Sequence, residues 1–109
     1  MRHKAAERAR VFKAMGHPSR MLILEALASE AKNVGELTEL VGSDISTVSK
    51  HLTVLKNAGV VVDESRGRSV YYSLYCTCIP QFMRCVDELI EYKSSRMGCA
   101  SAQLSTLEA

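Results

Sequence analysis

Four cysteines stand in the last third of this 109-residue chain: Cys76, Cys78, Cys85 and Cys99. As thiolates they are soft ligands, suited to arsenite, cadmium, lead, zinc or cuprous copper. Cys76-Thr77-Cys78 is the closest pair, and a loop placement would let both thiols turn toward one ion. No histidine follows His51, so a Cys₂His₂ zinc arrangement in the C-terminal half is not expected. The ligand count fits a three-thiolate site for trivalent arsenic, As(III), with Cd(II), Pb(II) or Zn(II) as other occupants. The third ligand is Cys85 or, alternatively, Cys99. If Ile79 caps the following helix, Cys85 lies six residues down it, roughly 9 Å along the axis. That is far for an ion shared with Cys78, unless the loop folds back or Cys85 comes from a second subunit. Cys85 also suits a small buried apolar position. The same thiols could respond to oxidation, Cys76 or Cys78 pairing with Cys85 or Cys99.

The elements around these thiols are read from punctuation and period. Residues 5–15 form a first helix, with Ala9, Phe12 and Met15 or Gly16 inward. Gly16-His17-Pro18 breaks it, and Pro18 opens a second helix over 18–29, where a missing N–H costs nothing. Its core side carries Met21, Leu22, Leu24, Leu27 and Ala28. Asn33 with Glu36 resembles a capping box and opens a helix over 34–41, with Val34, Leu37, Leu40 and Val41 inward. Gly42-Ser43 turns the chain into a fourth helix, capped by Asp44 and stopped by Gly59. Within it Val48, Leu52 and Leu55 form one apolar stripe. Ser46, Ser49, Lys50 and Thr53 lie opposite, a face with hydroxyls, a lysine and no carboxylate. Two short helices joined by a glycine turn, the second polar and basic on one side, form a helix-turn-helix.

After Gly59 the period drops to two. Val60-Val61-Val62 and Ser69–Tyr75 read as strands, the second with Val70, Tyr72 and Leu74 on one face. Gly67 supplies the positive φ that a tight hairpin needs, leaving Arg66 and Arg68 at the tip. A hairpin directly after a recognition helix is a wing, whose arginines would meet backbone phosphate or the minor groove. Pro80 to Gly98 then bound an 18-residue helix with a wide stripe of Ile79, Phe82, Met83, Val86, Leu89, Ile90 and Lys93. That stripe exceeds what a small domain needs and calls for the same helix of a second copy. The domain reading is a winged helix-turn-helix with its dimer helix over 1–97, and a mobile tail over 98–109. His17 and His51 read as structural, and the methionines as core or interface filler.

Composition agrees. Charged residues at 24% and apolar residues at 47% describe an ordinary globular chain with a net charge of +2. Arg2, Lys4, Arg8, Arg10, Lys13 and Arg20 face only Glu7 over the first twenty residues, a basic end that suits nucleic acid. No apolar run approaches the ~20 residues of a membrane span, and the N-terminus lacks the apolar region of a secretory signal. A cytoplasmic protein with reduced thiols is expected. No paired acid and base, no phosphate-cradling glycine loop and no nucleophile beside a base argue for an enzyme.

Four segments together resemble the ArsR/SmtB family of metal-responsive winged-helix repressors. They are His17-Pro18-Ser19-Arg20 before a leucine-rich helix, Ser46–Leu52, Leu55–Val60 and Gly67–Tyr72, and the likeness spans roughly residues 8–97. The resemblance implies a homodimer held by its terminal helices on a palindromic operator of double-stranded DNA, released when an ion binds. Ser46, Thr47, Ser49 and Lys50 would enter the major groove, with Arg66 and Arg68 on the flanking backbone or minor groove. Two departures stand out. The family's arsenic pattern puts cysteines at the start of the third helix, where this chain has Lys32–Thr38 without a thiol. Its zinc pattern needs Asp-x-His and a distal His-x-x-Glu in the last helix, where Asp87 is followed by Glu88 and Leu89. The expected function is therefore ion-responsive repression through displaced cysteines, arsenite favoured. A thiol-redox repressor of the same fold is the alternative, as is a winged helix used only for protein interaction.

Overall fold

His17 begins the ordered architecture around α2 (Pro18–Leu27). Its backbone is extended at φ −143°, and its Nδ1 accepts the Ser19 N–H at 3.1 Å. Pro18 then occupies the first turn, where no intrahelical acceptor exists for a missing N–H. The computed structural model describes the backbone of residues 2–99 and the side chains of residues 3–95. The chain falls into two units, one ending at Ile79 and the other starting at Pro80.

In the first unit α1 (Arg2–Met15) precedes α2, and a two-residue strand β1 (Lys32–Asn33) leads into α3 (Val34–Val41). The capping box is present: Asn33 Oδ1 accepts the Glu36 N–H at 2.9 Å, and Glu36 Oε1 accepts the Asn33 N–H at 3.0 Å. Gly42 ends α3 at φ 79°, ψ 18°, in the left-handed region that glycine enters without strain. Helix α4 (Ile45–Asn57) starts on the Asp44 carboxylate, which accepts the Thr47 N–H at 2.8 Å. It stops in a Schellman arrangement: Val60 N–H reaches Leu55 O and Gly59 N–H reaches Lys56 O, both at 3.0 Å, with Gly59 at φ 83°.

Strands β2 (Val61–Arg66) and β3 (Ser69–Leu74) pair antiparallel from Val61↔Leu74 to Arg66↔Ser69. That register leaves Gly67-Arg68 as a two-residue turn. Only Gly67 has a positive φ, 64°, the mark of a type II′ hairpin, whose twist matches its strands. The sheet has a third member that the sequence did not announce. β1 pairs with β3 through Lys32↔Tyr72 and Asn33↔Tyr71, giving the order β1-β3-β2. Two residues are too few to show a period, and Asn33 ends the strand while capping the helix.

The core sits where α2, α3, α4 and the start of β2 meet. Ile23, Leu24, Leu27, Leu37, Val48, Leu52, Leu55, Val60 and Val61 are buried, with Ala14 and Met15 closing one side. Expected inner faces shift on three helices. On α1, Phe12 is 53% exposed and Ala9 and Gly16 are exposed, because burial is confined to the end of the helix at Ala14 and Met15. On α2, Ile23 is buried while Leu22 and Ala28 are exposed, since a helix apolar nearly all round has no period to fix its face. On α3, Leu37 is fully buried and Leu40 is 59% exposed.

The second unit is formed by α5 (Cys78–Cys99), which begins two residues before the expected Pro80 start. The first-turn amides of a helix have no intrahelical acceptor, so proline is tolerated at its third position as well. Cys78 is therefore the first residue of a helix and not part of a loop. Leu89, Ile90 and Tyr92 of α5 are exposed. The expected tail at 100–109 lies outside the described residues, as does the side chain of Cys99. Among the described residues no helix is long and apolar enough to cross a membrane.

Candidate nucleic-acid interface and thiol site

Helix α4 turns Val48, Leu52 and Leu55 into the core, which fixes the rest of its circumference. Ser46, Ser49, Lys50 and Thr53 are exposed together and Thr47 is half-buried at their edge. Two hydroxyls on this face are already oriented. Ser46 Oγ donates to Asp44 Oδ1 at 3.2 Å, and Thr53 Oγ1 donates to the Ser49 carbonyl at 3.0 Å. The Thr47 hydrogen bonds, then Ser46, hold the Asp44 carboxyl below the usual carboxylate range. The cap thus stays charged at the positive end of α4. Ile45, the first residue of the helix, is 55% exposed. Sequence reasoning passed it over because it looked only for polar groups, although an apolar side chain there can meet a thymine methyl.

The two wing arginines separate. Arg68 occupies the turn and, with Ser49, Ile45 and Tyr72, lines a cleft of about 500 Å³ between α4 and the hairpin. Arg66 ends β2, where its Nε donates to Glu64 Oε1 at 2.7 Å and its guanidinium stacks on Tyr71, 4.8 Å from the ring centroid. Its charge is partly offset before any partner arrives.

The two histidines are structural, as expected. His17 caps α2, and His51 on α4 accepts from Arg20 Nε at 3.2 Å through Nδ1. Their rings lie 4.6 Å apart, centroid to centroid.

Of the predicted thiol ligands, Cys76 and Cys78 come together. The Cys78 N–H donates to Cys76 Sγ at 3.2 Å. The Cys78 thiol adds a second hydrogen bond, and the two lower the Cys76 thiol from its ordinary range while raising that of Cys78. One sulfur is thereby biased toward the thiolate and its neighbour toward the protonated donor. Cys85 is exposed on α5. Among the described residues no three His, Cys, Asp or Glu side chains converge in a way that could hold a metal ion.

Comparison with known proteins meets this geometry at the same segments. Residues 17–62, from the α2 cap through α4 to the first residues of the wing, match the family described as "Bacterial regulatory protein, arsR family". The chain is 42% identical over 86 residues to the HTH-type transcriptional regulator NmtR of Mycobacterium tuberculosis, covering 79% of this chain and 69% of that one. The crystal structure of M. tuberculosis Rv0081 superposes with a TM-score of 0.78 at 32% identity, over 84% of this chain and 93% of the other. A solution structure of the homodimeric winged helix-turn-helix DNA-binding domain of Mb0332 from Mycobacterium bovis gives 0.75 at 26% identity, over 82% of both chains. With helix-turn-helix, wing and these likenesses falling on the same residues, the chain belongs to the ArsR family of bacterial regulatory proteins and is a winged-helix transcriptional regulator.

Proposed function

We propose that this protein is a cytoplasmic, homodimeric repressor that releases operator DNA when a thiophilic ion, arsenite before others, binds Cys76 and Cys78. The observation that carries the reading is the thiol pair itself. It stands between the wing's last strand and the first residue of α5, with one sulfur already biased toward the thiolate. Soft trivalent arsenic suits such sulfurs better than the hard cations do. A third thiolate comes from Cys85 or Cys99, of the same or of a second copy. Cd(II), Pb(II) and Zn(II) are the competing occupants.

Dimerisation is supported by the exposed Leu89, Ile90 and Tyr92 of α5 and by the homodimeric state named for the Mb0332 domain. Ser46, Thr47, Ser49 and Lys50 read the major groove, with Arg68, and less strongly Arg66, on the adjoining backbone. Two reading heads must span half-sites about one turn, ~34 Å, apart. An ion that favours a different spacing needs only a differential affinity of ~1–3 kcal/mol.

Operator release followed by fluorescence anisotropy, titrating arsenite, cadmium, zinc and peroxide separately against reduced protein, tests the reading. Cys76→Ser/Cys78→Ser should bind operator normally and fail to release it; release at the wild-type arsenite concentration would overturn the assignment. Release by peroxide alone would establish the redox reading, which the hydrogen-bonded thiol pair also supports. There peroxide takes two electrons and two protons from two thiols, leaving a disulfide and two waters.

A further inference from the structure

A second basic surface adjoins α4, on the side away from the wing. Arg10 and Lys13 of α1, Arg20 of α2, and Val54, Asn57 and Ala58 at the end of α4 line an open cleft of about 320 Å³. None of its lining residues is acidic. Arg20 is set in place by Nη1 donating to the Ala14 carbonyl at 2.9 Å and Nε to His51. A guanidinium has five donors, so further ones remain beyond these two bonds. Arg10 and Lys13 are exposed.

The position of the cleft on α4 gives it meaning. Ser46, Lys50, Thr53 and Asn57 recur at i+4, i+3 and i+4, so Asn57 extends the reading face toward the helix end. Val54 and Ala58 flank that face on one side, while Ile45 and Ser49 flank it on the wing side. A duplex lying along α4 would meet Arg68 on one flank and the three cations of α1 and α2 on the other. Phosphates run along both edges of a major groove.

We propose that the Arg10–Lys13–Arg20 cleft is a phosphate-backbone contact that completes the DNA interface opposite the wing. This gives the basic N-terminal stretch a role that the helix-turn-helix does not use. The proposal rests on α4 being the DNA-reading helix.

Arg10→Ala/Lys13→Ala tests it without disturbing Arg20 or the core. Binding to operator and to random duplex is measured across salt concentrations, with Lys50→Ala as comparator and the dimer checked by sedimentation. Two lost phosphate contacts should make the slope of log K against log salt shallower by about 1.8. Affinity for both duplexes should fall by the same factor, and ethylation interference should vanish at one phosphate patch only. Unchanged affinity and slope would overturn the proposal, and so would a loss traced to weaker self-association at an unchanged slope. Failure of the wild type to bind either duplex would remove the α4 reading and this proposal with it.

Discussion

Arg20 donates to His51 Nδ1 at 3.2 Å across 31 positions of sequence, and its other arm holds the Ala14 carbonyl. One guanidinium thus joins α1, α2 and the helix that carries the reading face. The bond requires His51 to be neutral, because an imidazolium has no acceptor nitrogen. Partial burial, then the neighbouring His17 and Arg20, lower the His51 pKa from its ordinary 6.5. A lowered histidine contributes stability that is fully present above the unfolded value and lost as pH falls through the folded one. The melting temperature should therefore drop as pH falls below about 6.5. His51→Gln keeps an acceptor that does not titrate, so it should flatten that drop; an equally steep fall in the variant would contradict the assignment.

Leu52 is 1% exposed on the core side of α4. Leu52→Ala should cost about 2–5 kcal/mol by lost transfer energy and the cavity left behind. Urea unfolding followed by circular dichroism measures this. Operator affinity should fall only as the folded fraction does.

Gly67 stands at φ 64°, and a Cβ there would meet no atom within 4 Å. Gly67→Ala is then a backbone change alone, of order 1–3 kcal/mol, and acts on the hairpin. Operator affinity should weaken while amide exchange in α2 and α4 stays slow. Faster exchange in those helices would show that the turn supports the whole unit.

The wing arginines should behave unequally. Arg68→Ala should reduce the salt slope by about 1. Arg66→Ala should reduce it by less, because Glu64 already pairs with Arg66. Equal losses would mean that the pair opens on DNA.

Cys76 should be alkylated by iodoacetamide before Cys78, with a rate midpoint below the ordinary thiol value of 9.0. Cys78→Ala removes the thiol donor and should shift that midpoint upward. Peptide mapping at several pH values reads both effects. Preferential labelling of Cys78 would reverse the assigned polarity of the pair.

Much of this was legible in the chain because its signals are local. Asp44, Asn33, Pro18 and three glycines mark helix and turn ends through hydrogen bonds and φ preferences that act within a few residues. The i, i+4, i+7 stripe of Val48, Leu52 and Leu55 fixed which side of α4 faces outward, and hence the reading face. The pairing of β1 with β3 was not legible, since Lys32 and Asn33 find Tyr72 and Tyr71 only after the chain has folded back. Nor was the inner face of α2, where almost every residue is apolar and only neighbouring helices choose among them. The placement of Cys78 inside α5 depended on the helix starting two residues before its proline, which first-turn geometry permits and composition does not reveal. The basic residues of α1 were visible as charge. Only tertiary packing set Arg10 and Lys13 beside Arg20 and the end of α4, because such a cleft depends on contacts between segments that the sequence keeps far apart.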